Sequence, residues 1–134
     1  NYLKKGRIKK MLHKSELIMI DGAHSPADAL NLCKYLKTIK LPKYGIWSMT
    51  KNKEPDLFIK ELKNVFQKIV TLPIENENGS ESADKLNEIA VKNKIVSETA
   101  YNFKDALKKI SSNEKKLIVA FGSLYAAGSI LNKN

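Results

Sequence analysis

Short apolar runs alternate along this chain with segments in which apolar residues recur at helical spacing. Residues 17–20 form a continuous apolar run that stops at Asp21-Gly22, and such runs are typical of parallel strands covered on both faces. Ser25 and Pro26 then have the residue types of a helix N-cap and a first helical position, and helical spacing follows as far as Ile39. This stretch therefore predicts a strand, a turn and a helix.

The alternation continues to the end of the sequence. Further strands are predicted at residues 44–49, 69–72, 95–96 and 117–121. Helices are predicted from Pro55, with Phe58, Leu62 and Val65 on one face, and in the segments that start near Ala83 and Phe103. A last helix is predicted from Gly122-Ser123 to about Leu131. Residues 6–11 are a candidate for an additional edge strand in antiparallel orientation. This order predicts an α/β fold, a Rossmann-like three-layer sandwich whose mostly parallel sheet of about five to six strands is flanked by helices. We expect one domain over residues 1–134, and the strand order stays open.

Composition narrows the class of protein. The chain has 134 residues, of which 43% are hydrophobic, as expected for one soluble globular domain. No apolar run approaches the roughly 20 residues that span a bilayer. Cys33 is the only cysteine, which excludes an internal disulfide or a multi-cysteine metal site and favours the cytoplasm. The first residue is Asn1 instead of Met, so we expect a fragment of a longer protein.

The net charge of +10 raises the question of an anionic partner, which could be nucleic acid or a small molecule such as a nucleotide. Arg7 is the only arginine, whereas proteins that bind nucleic acid usually use arginine to grip phosphates and guanine edges. We therefore favour a solvated, lysine-rich surface and expect no nucleic-acid or membrane partner. A basic nucleic-acid-binding module stays an alternative, which weak and steeply salt-dependent binding would support.

Two turns after predicted strands carry candidate chemistry. Residues 21–26 place the carboxylate of Asp21 and the imidazole of His24 between a strand end and a helix N-terminus, where open α/β sheets bind their ligands. At the second turn, Gly122 permits close backbone approach and Ser123 offers a hydroxyl and an amide to an anion. The simpler interpretations are an Asp-Gly turn with a surface histidine and a tight turn with a serine N-cap. The chain contains no G-x-x-x-x-G-K-[ST] phosphate-binding loop.

A family resemblance connects these turns. Asp21-Gly22-Ala23-His24-Ser25-Pro26 closely resembles the Asp-Gly-Ala-His-Asn-Pro signature of folylpolyglutamate synthases and dihydrofolate synthases. Four other segments resemble that family in the right order, from about Gly6 to Leu131: Gly6-Arg7, residues 49–54, residues 103–107 and Gly122-Ser123-Leu124-Tyr125. The sequence departs from the family pattern at Ser25, where Asn is usual, at Asn52 and Glu54, where Asp is usual, and at Lys5, where Pro is usual.

The resemblance implies the C-terminal domain, of Mur ligase type, of an ATP-dependent enzyme that joins L-glutamate to dihydropteroate or folate. In that family ATP converts a carboxylate to an acyl phosphate, and the glutamate amine attacks it. The P-loop, the Mg²⁺ ligands and the pteroate site belong to an N-terminal ATPase domain, which we expect to be missing from this chain and to be its partner. The chain alone should then hold no metal ligands and be inactive. The parent enzyme would serve folate biosynthesis and one-carbon metabolism in the cytoplasm.

The same resemblance implies roles for five residues. Arg7 would bind ATP phosphate oxygens, and Asp21 would accept a hydrogen bond from the ATP ribose. His24, the candidate catalytic residue, would face the phosphate or the incoming glutamate. Lys53 and Ser123 would bind glutamate carboxylates.

Other readings stay open at this point. The parent could add the first glutamate to dihydropteroate, extend a polyglutamate tail, or do both. A Mur-type cell-wall amino-acid ligase is the nearest alternative. A response-regulator-like domain with Asp21 as phosphoacceptor is less favoured, because residues 12–15 contain no pair of acids and Gly122 stands where a lysine is needed.

Overall fold

Six strands form one mixed sheet in a computed structural model that describes residues 8–13 and 16–122, with side chains described from residue 17 onward. The strands are β1 (Ile8–His13), β2 (Glu16–Asp21), β3 (Lys43–Ser48), β4 (Lys68–Thr71), β5 (Ser97–Thr99) and β6 (Leu117–Gly122). Their spatial order is β1-β2-β6-β3-β4-β5. β1 runs antiparallel to β2, and all other neighbours are parallel. The prediction of a mostly parallel sheet is confirmed. The antiparallel edge strand predicted at residues 6–11 is present as Ile8–His13, and residues 6 and 7 lie outside the described residues.

The described helices are α1 (Pro26–Leu36), α2 (Pro55–Lys60), α3 (Ala83–Lys92) and α4 (Phe103–Ile110), with a short 3-10 helix at Lys51–Lys53. α1 begins where the sequence predicts, because the Ser25 hydroxyl accepts the Asp28 N–H at 3.1 Å and Pro26 occupies the first turn. None of the helices in the described ranges is long and apolar enough to cross a membrane.

Helices cover both faces of the sheet, so the fold has three layers. Successive residues of β2 point to opposite faces, so that Met19 lies in one core cluster and Ile18 in the other. The first cluster contains residues of α1, α2 and α3, among them Leu32, Phe58 and Leu86. The second contains Ala106, Leu107 and Ile110 of α4. Burial of both strand faces explains why the strands appear in the sequence as continuous apolar runs.

The strand predicted at residues 95–96 is wrong, and β5 begins two residues later. Ile95 instead completes the end of α3: Lys94 is left-handed (φ 64), its N–H donates to the Val91 carbonyl at 2.9 Å, and the Ile95 N–H donates to the Ala90 carbonyl at 3.0 Å. This is a Schellman motif, in which an apolar residue after the left-handed position packs back onto the helix. The apolar side chain of Ile95 therefore belongs to the C-terminal cap of α3. β5 itself is a short edge strand of polar residues.

The helix that begins at Pro55 is shorter than predicted. It ends at Lys60, although Leu62 is still buried and Val65 packs against the same core. Asn64 is left-handed (φ 70), which a continuing helix cannot accommodate. The last predicted helix, from Ser123 to about Leu131, lies outside the described residues.

Candidate functional site

The sheet order brings the predicted functional turns to one edge. β6 lies between β2 and β3, and the register pairs Phe121 with both Asp21 and Trp47, and Gly122 with Ser48. The carboxyl ends of β2, β6 and β3 are therefore direct neighbours, with strands roughly 4.8 Å apart. The segments that follow β2 and β3, which carry His24 and Lys53, leave the sheet at this edge, and β6 ends here at Gly122.

Asp21 and His24 differ in their surroundings. The Asp21 side chain is fully buried, and its Oδ1 accepts the Ala23 N–H at 2.8 Å, so the carboxylate helps to close the turn between β2 and α1. His24 is half-buried, and its backbone N–H lies 3.4 Å from Asp28 Oδ2. The turn thus presents the imidazole near the N-terminus of α1, while the contact of Asp21 with a ribose stays a prediction.

Lys53 belongs to a turn that its surroundings hold firmly. We call residues 49–54 the Lys53 turn. The Met49 carbonyl accepts the Glu81 N–H at 2.9 Å, and the Lys51 N–H donates to the Gly79 carbonyl at 2.8 Å. Lys53 itself is half-buried. Since these are backbone contacts to a distant segment, the Lys53 side chain extends from a turn with a fixed path.

Glu54 ends the same turn in a left-handed conformation, with φ 53 and ψ 62. That region costs a residue with a side chain about 1–2 kcal/mol, and such residues occur where the surrounding structure enforces them, often near functional sites. Pro55 follows at once and begins α2. The strained residue therefore fixes the direction in which the chain leaves the Lys53 turn.

An aromatic cluster that the sequence did not predict supports this edge. Phe121, the last residue before Gly122, stacks on Phe66 at a centroid distance of 5.3 Å and on Phe58 at 6.0 Å. Trp47, the last residue before Ser48, stacks on Phe58 at 6.2 Å and on Phe121 at 6.5 Å. The only available signal was that Trp47 and Phe121 each end an apolar run. The cluster gives both strand ends a rigid, buried support.

A second feature that the sequence did not predict is a cavity of about 430 Å³ beyond the carboxyl ends of β4 and β5, lined in part by Pro73, Ser82, Tyr101 and Lys109. The Lys109 ammonium donates to the Thr99 carbonyl at 2.7 Å and lies 3.4 Å from the Asp105 carboxylate. Because its only described cation is already paired, this cavity presents no uncompensated positive charge to an anion.

Two of the five predicted site residues, Arg7 and Ser123, lie outside the described residues, so their roles stay predictions. The structure brings Asp21, His24 and Lys53 to one sheet edge. In the described part of the chain, no group of three or more His, Cys, Asp or Glu side chains could hold a metal ion.

Comparison with known proteins gives a clear sequence family. The family model described as "Dihydrofolate synthetase, C-terminal domain" matches residues 4–133. A comparison with curated protein sequences gives no significant match.

Several solved structures have the same fold. A folylpolyglutamate synthase from Mycobacterium tuberculosis complexed with ADP is 23% identical, with a TM-score of 0.82 over 96% of this chain and 32% of that one. The bifunctional folylpolyglutamate synthase/dihydrofolate synthase from Yersinia pestis, complexed with AMPPNP and Mn ion, is 18% identical, with a TM-score of 0.81 over 96% of this chain and 30% of that one. E. coli FolC in complex with DHPP and ADP is 17% identical, with a TM-score of 0.78 over 91% of this chain and 29% of that one.

The chain therefore spans about a third of the length of the solved structures that it matches. These likenesses establish the fold, and the family model, which covers nearly all of the sequence, establishes the family. The chain belongs to the family of dihydrofolate synthetase C-terminal domains.

Proposed function

We propose that this chain is the C-terminal domain of a longer cytoplasmic ligase that uses ATP to add L-glutamate to dihydropteroate, to tetrahydrofolate, or to both. The observation that carries the proposal is the convergence of the Asp21–His24 turn, Gly122 and the Lys53 turn at one sheet edge, in a chain of this family. The remaining machinery, including the P-loop and the Mg²⁺ ligands, would lie in a preceding domain. The chain alone would then be inactive.

The Asp21 side of the edge is the proposed nucleotide side. Arg7 would bind phosphate oxygens, and Asp21 would accept from the ribose. A carboxylate can accept several hydrogen bonds, so its contact with the Ala23 N–H at 2.8 Å is compatible with a second role. Because Asp21 is fully buried, the ribose could reach it only if neighbouring groups move when the nucleotide binds. Relatives of the longer ligase were solved with ADP or AMPPNP, which supports nucleotide use by the parent enzyme.

The Lys53 side is the proposed glutamate side. An ammonium on a backbone-fixed turn suits a carboxylate ligand, because a charge-assisted hydrogen bond gains most when its donor is already held in place. Ser123 follows Gly122 in the sequence and would supply a hydroxyl to the same ligand. His24, on the other side of β6, would face the phosphate or the glutamate amine. Closure of the domain over the reactants would exclude water from an acyl phosphate that water can hydrolyse.

The test compares the complete ligase with the chain alone. With ATP and glutamate, and with dihydropteroate or tetrahydrofolate as acceptor, the complete ligase should release phosphate in a glutamate-dependent manner and the chain alone should not. The acceptor that supports turnover identifies the activity. Glutamate-dependent turnover by the chain alone would contradict the division of the machinery between two domains.

Variants of the Lys53 turn test the glutamate site. Lys53→Ala removes a charged donor worth about 1.5–3 kcal/mol, so the KM for glutamate should rise about tenfold or more while the KM for ATP stays constant. Lys51→Ala is the matched control, because it removes an exposed ammonium two residues away in the same turn. Ser123→Ala should resemble Lys53→Ala. Equal glutamate constants in the Lys51→Ala and Lys53→Ala variants would remove Lys53 from the site.

A further inference from the structure

Gly122 makes the closest backbone contact among the glycines whose surroundings are described. A Cβ at this position would lie 1.8 Å from the Ser48 carbonyl oxygen and 3.0 Å from the Ser48 carbonyl carbon. Gly122 also has φ +114, a region that residues with a side chain rarely adopt. A side chain here would meet backbone rather than a flexible side chain, so the position requires glycine for two independent reasons.

The contact partner of Gly122 is the residue that leads into the Lys53 turn. Ser48 ends β3 and is buried, and Met49 follows it as the first residue of the turn. On the opposite side, the turn is tied to a distant segment, since the Lys51 N–H donates to the Gly79 carbonyl at 2.8 Å. Two contacts thus set the path of the turn: Gly122 packs against Ser48 just before the turn begins, and the Gly79 carbonyl accepts the Lys51 N–H within it.

From these contacts we infer that Gly122 is a positioning residue for glutamate: its missing side chain lets the end of β6 lie against the Ser48 carbonyl, and this contact, together with the tie to Gly79, sets where Lys53 stands. The inference rests on the proposed function. An alanine Cβ at position 122 would lie 1.8 Å from the Ser48 carbonyl oxygen, whereas real contacts of this kind are at least 3.0 Å long. To accommodate alanine, the two atoms would have to move apart by that difference. A misplacement of about 1 Å in a binding group can cost about 100-fold in rate, so the displacement is large enough to matter.

The experiment uses the complete ligase and two glycine variants. Gly122→Ala should raise the KM for glutamate about tenfold or more, with the KM for ATP changed by less than about twofold. Gly45→Ala is the matched control: its Cβ would meet the Phe121 and Ile69 side chains at 2.8 and 3.1 Å, three residues before Ser48 in the same strand. It therefore strains the core through Phe121, with no residue of the Lys53 turn among the atoms that its Cβ would meet most closely. If Gly122→Ala changes the glutamate KM and the ATP KM by the same factors as Gly45→Ala does, the role of Gly122 is only structural and the inference is overturned.

If Gly122→Ala does not fold, a second pair of variants tests the other contact named in the inference, the hydrogen bond between Lys51 and Gly79. Lys51→Pro removes the N–H that donates to Gly79, at an exposed position whose preceding residue, Thr50, is already extended (φ −79, ψ 152), as a residue before proline must be. Lys51→Ala keeps the N–H and removes the same ammonium. The glutamate KM of Lys51→Pro should exceed that of Lys51→Ala about fivefold or more, without a change in the ATP KM. Equal constants would overturn the inference.

These results also separate the inference from the proposed function. A parent ligase without glutamate-dependent turnover would overturn the proposed function, and the inference with it. A normally active parent, with a Gly122→Ala variant that matches Gly45→Ala, would overturn the inference alone.

Discussion

Asp21 has a structural role that the structure shows and a nucleotide-binding role that we propose, and two substitutions separate them. The carboxylate is fully buried and accepts the Ala23 N–H at 2.8 Å. Asp21→Ala removes this acceptor, and a buried donor without its partner lowers the free energy of unfolding by about 1–3 kcal/mol. Asp21→Asn keeps a side chain of the same shape with an acceptor oxygen, so we expect a smaller loss of stability.

The nucleotide role predicts a different pattern. A ribose hydroxyl that donates to asparagine instead of aspartate exchanges a charged acceptor for a neutral one, a loss of about 1 kcal/mol. The KM for ATP in the Asp21→Asn ligase should therefore rise about fivefold, while the KM for glutamate changes little. Urea unfolding of the 134-residue chain gives the stability of each variant, and steady-state kinetics of the complete ligase give the two constants.

A control in the same turn makes the comparison decisive. Ser25→Ala removes the N-cap of α1, where the hydroxyl accepts the Asp28 N–H at 3.1 Å, and should cost about 1 kcal/mol of stability. It leaves the Asp21 carboxylate in place, so the ATP constant should not change. If Asp21→Asn behaves like Ser25→Ala, losing stability with normal ATP kinetics, then Asp21 only closes the turn and the nucleotide assignment is wrong.

Two further predictions concern local structure. Lys94 ends α3 in a left-handed conformation (φ 64), so Lys94→Gly should raise the free energy of unfolding by about 0.5–1 kcal/mol, measured in urea; a destabilised variant would contradict the Schellman assignment. The Tyr101 N–H, at 3.0 Å, holds the pKa of the Asp105 carboxyl below its ordinary value of 3.8, with Lys109 acting in the same direction and desolvation opposing both. Since the folded pKa is depressed, this stabilisation is present above pH 3.8 and is lost as the pH falls through the folded pKa. Stability below that pH should therefore depend less on pH in Asp105→Asn than in the parent, and equal slopes would refute the role of this carboxylate.

The sequence predicted the central strands because these strands are covered on both faces. Residues 17–20 and 117–121 are apolar throughout, and both cores require this. β5 escaped prediction because it is an edge strand of three residues with the polar sequence Ser97-Glu98-Thr99. The nearby apolar residue Ile95 is part of the cap that ends α3 and not of a strand. The signal of buried strands is thus reliable at the centre of the sheet and weak at its edge.

The site was predictable only as separate turns. The sequence identified the Asp21–His24 turn from residue types at a helix start, and the Ser25 N-cap is confirmed. It could not indicate that β6 lies between β2 and β3, since strand order depends on contacts between residues about 100 positions apart. Nor could it indicate the 3-10 helix at Lys51–Lys53, which backbone hydrogen bonds to the segment around Gly79 help to hold. Such bonds carry no side-chain signature.

The central position of β6 has a consequence for how the two sides of the proposed site depend on each other. β2 ends in the proposed nucleotide turn and β3 leads into the proposed glutamate turn, and β6 pairs with both. The distance between the two turns therefore depends on the pairing of residues 117–122 with both neighbouring strands. A change inside β6, such as one at Val119 in the core, should therefore disturb both substrates together. A change at its end, at Gly122, meets the Ser48 carbonyl of β3 and should act on the glutamate side alone. We therefore expect substitutions in the middle of β6 to change the KM for both substrates, and substitutions at Gly122 to change the KM for glutamate only.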